Sequence, residues 1–176
     1  MEFKIHREDE KIDSERLVQI IKIIKSQNKE SIISDLELDD LKKFLKEFLK
    51  YKNNFLFTAC IEKRIIGYIT YSQMNTNFLS NKMKFYFLFC LLKKLKIISI
   101  LNVFLKITNI DKIFFSNEKK KIYLNSLNLS YLGIEEHFQS KGVGKELIFK
   151  TISLINSKNI ISVETYNRRA QKFYKH

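Results

Sequence analysis

The sequence predicts a mixed α/β fold in a single domain spanning its 176 residues. Segments in which apolar residues alternate, typical of strands, are interspersed with segments in which they recur every three or four positions, typical of helices. Their order is β-α-α-β-β, an insertion, and then β-α-β-α, a pattern typical of a sheet flanked by helices. Hydrophobic residues make up 45% of the chain, which is enough for a folded core.

One strand and two helices open the chain. Residues 3–7 alternate in polarity and predict the first strand. Asp13 is placed to cap a first helix, and a second helix follows Asp39. The predicted buried faces of these helices carry Leu17, Ile20, Ile21, Ile24, Leu41, Phe44, Leu45, Phe48 and Leu49.

A β-hairpin follows. Residues 55–61 and 65–71 are apolar runs of strand length on either side of the charged turn 62–64. Gly67 inside the second run indicates a bulge or a close approach of another backbone.

The second half supplies a strand over 122–134, a helix to about residue 157, a short strand over 160–164 and a final helix over 167–174. The first of these helices is predicted to bury Leu147, Ile148, Thr151, Ile152 and Ile155. Asn167 is a plausible cap of the last helix.

Charge is distributed unevenly along the chain. The net charge is +13, and residues 1–60 are neutral, so the whole excess falls in 61–176. We therefore expect an anionic partner, such as a phosphorylated cofactor, an acidic substrate or a lipid surface. The alternative is a basic face that only keeps the protein soluble.

Residues 75–121 form an insertion. Between 85 and 106 the polar residues recur at helical spacing and leave a wide apolar face, which predicts a helical segment. Such a segment either covers the core of this chain or docks onto something outside it.

Cysteine spacing and hydropathy exclude several classes. Cys60 and Cys90 lie in apolar runs with no Cys/His cluster, so we expect buried thiols, no metal and a reducing compartment. The N terminus is charged and lacks the apolar segment of a leader, and no uncharged run is long enough to span a bilayer. A cytoplasmic protein is expected, with peripheral membrane attachment as the alternative.

The junction after the strand that ends at Ile134 carries the clearest chemical signal. Residues 139–144 read Gln-Ser-Lys-Gly-Val-Gly and open a helix. A helix start leaves N–H groups unpaired at the positive end of the dipole, and glycine lets a ligand reach the main chain without meeting a Cβ. The sequence therefore predicts a phosphate-binding turn, which lacks both the dinucleotide and the P-loop spacing.

This turn resembles the Gln/Arg-x-x-Gly-x-Gly/Ala acyl-coenzyme A signature of the GNAT superfamily of N-acetyltransferases. Residues 129–134, Leu-Ser-Tyr-Leu-Gly-Ile, resemble the strand that precedes the signature in that family. Residues 167–174, Asn-Arg-Arg-Ala-Gln-Lys-Phe-Tyr, resemble its Asn-x-x-Ala-x-x-Phe-Tyr segment. The resemblance covers most of the chain outside the insertion and implies a mostly antiparallel sheet, flanked by helices and splayed at the cofactor site.

The resemblance implies an enzyme that transfers an acetyl group from acetyl-CoA to a primary amine by direct attack, without a metal. Backbone N–H groups of the turn would hold the pyrophosphate, and the strand end would pair with the pantetheine arm. The implied cofactor-binding residues are Leu132, Gly133, Ile134, Gln139, Ser140, Lys141, Gly142, Val143, Gly144, Lys145 and Asn167. Lys141 and Lys145 equally suit a solvent-facing surface, and Asn167 equally suits a pure capping role.

For catalysis, the resemblance assigns Tyr174 as the acid that protonates the departing thiolate, with aromatic packing as the alternative. An amine nucleophile must also lose a proton, and the strand over 122–134 carries no acid. Glu164, at the end of the next strand, is the candidate base, while Asn128 and Ser130 share a face and could position a water. The other candidates are Glu135, Glu136 and His137.

The basic insertion suggests a small, anionic acceptor such as an amino sugar or a nucleotide-linked sugar. A second interpretation is a GNAT-fold module with impaired catalysis that binds a membrane surface or a protein partner through the insertion. The family usually continues past the Phe-Tyr pair with a final strand, so we expect either a truncated product or a second copy or the insertion covering the open sheet edge. No nucleic-acid motif is present, and nucleic acid is not an expected partner.

Overall fold

The computed structural model describes residues 2–27, 36–73, 86, 89, 126–155, 161–163 and 168–174. A five-stranded sheet, in the order β1-β2-β3-β4-β5, forms its centre. The strands are β1 (Lys4–Glu8), β2 (Asn54–Ile61), β3 (Arg64–Gln73), β4 (Leu127–Ile134) and β5 (Ile161–Val163). The helices are α1 (Ser14–Gln27), α2 (Leu38–Leu49), α3 (Val143–Ile155) and α4 (Arg168–Tyr174), with a 3₁₀ turn over Glu136–Phe138. The predicted element order and the mixed α/β class are confirmed.

The sheet is antiparallel except at one edge. Strands β1 to β4 pair antiparallel in sequence order, and β5 pairs parallel to β4. The crossover that makes β5 parallel contains α3, which packs on one face of the sheet, while α1 and α2 pack on the other. This arrangement places the start of α3 beside the end of β4.

The two N-terminal helices form for the predicted reasons, with one correction. The Asp13 carboxylate accepts a hydrogen bond from the Arg16 amide at 2.7 Å, which is the predicted cap. The second helix begins at Leu38, so Asp39 lies inside its first turn and does not precede it. There its charge is favourable at the positive end of the helix dipole.

The hairpin contains the predicted irregularity at Gly67. Ala59 pairs with Gly67 but Cys60 pairs with Ile65, so Ile66 is the extra residue of a bulge. A Cβ on Gly67 would lie 2.6 Å from Cδ1 of Ile134 and 3.2 Å from the carbonyl oxygen of Gly133. Both alternatives, the bulge and the close approach, are therefore present. Arg64, predicted in the turn, is the first residue of β3.

Each face of the sheet has its own core. Tyr68 of β3 packs with α1 and α2, whereas its neighbour Ile69 packs with α3, as strand alternation requires. Leu147 and Thr151 of α3 are fully buried against the second face, as predicted. None of the described helices is long and apolar enough to cross a lipid bilayer.

Several predictions fall outside the described residues. They concern residues 122–125 of the strand predicted over 122–134, Cys90, Glu164, Asn167 and most of the insertion over 75–121. Ser126, also predicted in that strand, is described and lies just before β4. Within the insertion the Tyr86 hydroxyl donates a hydrogen bond to Oδ1 of Asp40 at 2.5 Å and accepts one from Nζ of Lys43 at 3.2 Å. This contact joins the insertion to α2. The membrane surface, the second copy and the division of the chain stay predictions.

Candidate active site

The start of α3 presents unpaired backbone donors. The first intrahelical hydrogen bond runs from the Glu146 amide to the Gly142 carbonyl at 3.0 Å. The amides of Val143, Gly144 and Lys145 precede it, so helix geometry provides no carbonyl for them. They lie at the positive end of the helix dipole, which gives the start of α3 the character of an anion site.

Gly142 opens the space in front of these donors. Its φ is +81°, a left-handed conformation that favours glycine. A Cβ placed there would meet no atom within 4 Å. The residue is therefore glycine because of its backbone conformation, and the space beside it is free for a ligand.

Gln139 fixes the turn to the rest of the fold. Its Nε2 donates to the carbonyl of Ile134 at 3.0 Å and to Oε1 of Gln27, at the end of α1, at 2.5 Å. Its own amide donates to the Glu136 carbonyl at 3.2 Å. The sequence placed Gln139 among the amides that bind the cofactor, but the structure gives this residue a positioning contact on both its side chain and its amide.

The neighbouring lysines are exposed. Lys141 lies with Nζ 5.7 Å from the ring centroid of Phe138, and Lys145 lies in the first turn of α3. Both predicted alternatives, a ligand contact and a solvent-facing surface, agree with this placement. In either case they add positive charge beside the unpaired amides.

The end of β4 has an edge directed at the same space. The Glu135 amide donates to the Ile66 carbonyl at 2.8 Å, toward β3. Because the backbone groups of successive strand residues point to opposite edges, Ile134 and Leu132 present theirs away from β3. Strand β5 pairs only with residues 127–129, so among the described residues no strand covers this edge beyond Leu129.

Gly133 serves packing. A Cβ at this position would lie 2.4 Å from Cε1 of Tyr68 and 3.1 Å from Cγ2 of Ile23. The residue thus lets α1 and β3 approach β4 closely and keeps the strand edge in place. The sequence placed Gly133 in the cofactor site, and this packing requirement was not predicted.

A groove of about 470 Å³ opens where β4 and β5 part. One wall is the end of β4 with the turn and the first residues of α3, and the other is formed by Val163, Ala170, Phe173 and Tyr174. The sheet is thus splayed at this position, as the family resemblance implied. The start of α3, the β4 edge and Tyr174 all line this one groove.

Tyr174 is a protonated phenol in this setting. Burial, and to a smaller extent the charge of nearby Tyr71, raise the pKa of Tyr174 to about 12. Its ring packs edge-on against Phe173, with centroids 5.1 Å apart. The predicted acid and the predicted packing role are therefore compatible in one side chain.

The candidate bases near the turn lie elsewhere. The carboxylate of Glu135 forms an ion pair with Arg64. Glu135, Glu136 and His137 line a second pocket of about 500 Å³, beside α1 and the start of β3. Among the described residues, none of those lining the groove is Asp, Glu or His, and no cluster of three His, Cys, Asp or Glu residues could hold a metal ion.

The chain resembles known proteins in its fold but not detectably in its sequence. No family model matches the chain, and no curated protein matches it. Solved structures do match. An aminoglycoside acetyltransferase from an uncultured soil metagenomic sample, in complex with sisomicin, is 17% identical, with a TM-score of 0.57 over 98% of this chain and 85% of the other.

Two further structures extend the comparison. A GNAT family acetyltransferase from Staphylococcus aureus is 18% identical, with a TM-score of 0.57 over 96% of this chain and 90% of the other. A transcriptional regulator from Bacillus halodurans is 15% identical, with a TM-score of 0.57 over 99% of this chain and 90% of the other. The protein has the GNAT fold. Because one fold hosts different functions, the function has to be argued from the site.

Proposed function

We propose that the protein is an acetyl-CoA-dependent N-acyltransferase that acts on a small primary amine. The observation that carries this proposal is the convergence of the unpaired α3 amides, the uncovered β4 edge and the Tyr174 phenol on one groove. An anion cradle, an edge that accepts an extended amide chain and a proton donor are what a phosphorylated thioester substrate requires.

The cofactor binds in two parts. The amides of Val143, Gly144 and Lys145 hold the pyrophosphate, with Gly142 leaving room for it and the two lysines adding charge. The pantetheine arm contains amide groups and pairs with the backbone of Leu132 and with the Ile134 amide, as an added strand would, while the Ile134 carbonyl accepts from Gln139. A β4 amide then lies near the thioester carbonyl and stabilises the oxyanion that develops on it.

Transfer follows by direct attack. The neutral amine nitrogen forms a bond to the thioester carbonyl carbon, the carbon–sulfur bond breaks, the sulfur leaves as a thiolate, and the nitrogen loses its extra proton to solvent to give the amide. Tyr174 donates a hydrogen bond to that sulfur. With a pKa of about 12 it remains protonated at neutral pH. Complete transfer of the Tyr174 proton to a thiolate whose conjugate acid has a pKa of ~8.5 is unfavourable. The hydrogen bond from Tyr174 therefore contributes more to stabilising the leaving thiolate than proton transfer does.

An amino sugar is the acceptor class we favour. The structural neighbour in complex with sisomicin is named for acetyl transfer to aminoglycosides, and its fold matches this chain along almost its whole length. The anionic acceptor suggested by the basic insertion has no support from the described residues, because nearly all of that insertion lies outside them.

Calorimetry with acetyl-CoA, followed by a free-thiol release assay with amino sugars, tests the proposal. We expect acetyl-CoA to bind with a Kd in the micromolar to low millimolar range and desulfo-CoA, which keeps the phosphates, to bind similarly. Release of thiol should require an amine. No detectable binding of acetyl-CoA at millimolar concentration would rule the proposal out.

A further inference from the structure

A row of uncharged polar side chains crosses the sheet on the face that α1 and α2 cover. The register pairs Ser72 of β3 with Asn128 of β4, and Asn128 with Ser162 of β5. These three residues are called the polar row below. Ser72 lies on the same face of β3 as Tyr68, which packs in the α1–α2 core.

Hydroxyl groups around the row are paired with one another. The Ser72 and Ser130 hydroxyls lie 2.8 Å apart, and those of Ser126 and Ser162 lie 3.1 Å apart. Asn128 differs from them. Its Oδ1 is buried and has no hydrogen-bond partner within the protein, even though the residue as a whole is only half-buried.

This unpaired carbonyl destabilises the free protein. Leaving a buried acceptor unsatisfied costs ~1–3 kcal/mol, whereas an apolar side chain of the same size would avoid that cost. A polar group kept at such a cost is what a ligand-binding position looks like before the ligand arrives. Rotation about the soft χ2 torsion of Asn128 can turn either end of its amide toward a ligand.

The row adjoins the groove through Ser130, which lines the groove and pairs its hydroxyl with that of Ser72, while the three residues of the row do not line it themselves. An arm that starts at α3 and follows the β4 edge passes Ile134 and Leu132 and reaches Ser130 after ~13 Å, four residues of extended strand. Ser130 lines the groove and is the extra residue of a bulge, because Thr70 pairs with Tyr131 and Tyr71 with Leu129. The next residue of β4 on the row's face is Asn128.

We propose that Asn128 binds the acceptor amine and that the polar row selects acceptors that carry hydroxyl groups. This inference rests on the proposed acyltransferase function and adds the residues that recognise its acceptor. The Asn128 carbonyl accepts a hydrogen bond from the attacking nitrogen, and Ser72 and Ser162 bond to hydroxyls of the acceptor. The row has no carboxylate, so the proton of the amine is lost to solvent.

Amines matched in size but not in polarity test the proposal. The substrates are glucosamine, galactosamine, glucosamine 6-phosphate and cyclohexylamine, each with acetyl-CoA, and the readout is kcat/KM from thiol release, calculated on the neutral fraction of each amine. We expect glucosamine or galactosamine to exceed cyclohexylamine by at least ~10-fold, about one hydrogen bond in a desolvated site. Asn128→Leu should remove most of that preference and leave the acetyl-CoA Kd within about 2-fold.

Stability supplies the readout that separates binding from a structural role. If Asn128 serves a ligand, Asn128→Leu removes an unpaired polar group and raises Tm by ~2–4 °C. Ser162→Ala is the second variant and should lower the preference without unfolding the protein. Ser153→Ala, on the exposed side of α3, is the control and should change neither quantity.

The outcomes distinguish this inference from the function on which it rests. A lower Tm in Asn128→Leu with an unchanged preference would make the residue structural and overturn the inference. Equal kcat/KM for cyclohexylamine and the amino sugars would also overturn the inference. The same holds for a preference for the phosphorylated sugar that survives Asn128→Leu. It also holds if the protein binds acetyl-CoA but releases no thiol with any hydroxylated amine. Absence of acetyl-CoA binding would instead refute the acyltransferase function.

Discussion

Three positions near the groove are glycine for two different physical reasons. Gly67 and Gly133 have no space for a Cβ, because Ile134 and Tyr68 lie 2.6 Å and 2.4 Å from where it would be. Gly142 has open space and a left-handed backbone instead. The sequence predicted both Gly133 and Gly142 as cofactor-binding residues, and both line the groove, but of the three only Gly142 has open space where a Cβ would be.

A charge at Gly142 should act on the cofactor directly. Gly142→Glu and Gly142→Gln share the strain of a side chain in the left-handed region, ~1–2 kcal/mol, and differ only in charge. We expect the Glu variant to bind acetyl-CoA ~10- to 100-fold more weakly than the Gln variant, because its carboxylate repels the pyrophosphate in a partly exposed site. Calorimetry measures the acetyl-CoA affinity of both variants. Equal affinities would show that the pyrophosphate does not bind next to Gly142.

Tyr174 should matter for turnover and leave binding unchanged. Tyr174→Phe removes the hydroxyl from the groove, and we expect kcat to fall ~10²-fold with an unchanged Kd for acetyl-CoA. Because the pKa is about 12, the wild-type rate should show no loss from Tyr174 ionisation below about pH 11. A descending limb near pH 8–9 that disappears in the Phe variant would contradict this assignment.

Tyr71 provides the matched control for that variant. Its buried hydroxyl lies 2.8 Å from the Thr151 hydroxyl, on the core side of the groove. Tyr71→Phe should lower stability by ~1 kcal/mol and leave kcat within about 2-fold.

Since burial raises the folded pKa of Tyr174 above the unfolded value of ~10, the contribution of Tyr174 to the free energy of unfolding is fully present below pH 10 and is lost as pH rises toward 12. In Tyr174→Phe the free energy of unfolding, measured by urea titration at each pH, should decrease less between pH 10 and 12 than in the wild type.

At the scale of elements, periodicity and capping predicted most of what was found. The α1 helix begins after its predicted cap, and the hairpin strands lie within two residues of their predicted limits. The 3₁₀ turn over Glu136–Phe138 and the start of α2 were missed, because short turns and helix ends depend on local contacts that periodicity does not encode.

An ion pair that the sequence did not reveal joins three elements. Glu8 of β1 has a side chain only 7% exposed, and it pairs with Arg16 of α1. Thr58 of β2 donates to the same carboxylate at 2.5 Å and lies 2.9 Å from the guanidinium. The pair raises the pKa of Arg16 further above its usual value, so the cation persists at any pH at which the protein folds.

Breaking this pair should destabilise the fold without affecting the groove. Glu8→Gln keeps the shape of the side chain but leaves the guanidinium without its carboxylate, and we expect a loss of ~3 kcal/mol in the free energy of unfolding. Urea titration measures it. Glu47→Gln is the control, because Glu47 pairs with the exposed Lys50 at 3.1 Å and should cost less than ~1 kcal/mol. Equal losses would show that burial of the Glu8 pair is unimportant.

At the scale of the molecule, local sequence patterns do not predict how the strands are arranged around the groove, and the family resemblance supplied that expectation. Nothing in the β4 or β5 sequences states that, among the described residues, they pair over 127–129 alone. The groove lies beyond the paired stretch, between the end of β4, the start of α3 and the residues of α4. The polar row also depends on the strand arrangement, because Ser72, Asn128 and Ser162 become neighbours only through the sheet register.

The charge of the whole chain should appear in the kinetics of cofactor binding. A net charge of +13, all of it in residues 61–176, attracts a polyanion over a distance that salt shortens from ~10 Å at 0.1 M to ~3 Å at 1 M. Stopped-flow association of acetyl-CoA should slow by ~10-fold or more between 0.05 and 0.5 M salt, with little change in dissociation. S-acetylpantetheine, which has the same thioester arm but no phosphates, is the control ligand. Its association should be nearly independent of salt, and equal slowing of both ligands would show that the positive charge does not steer the phosphates.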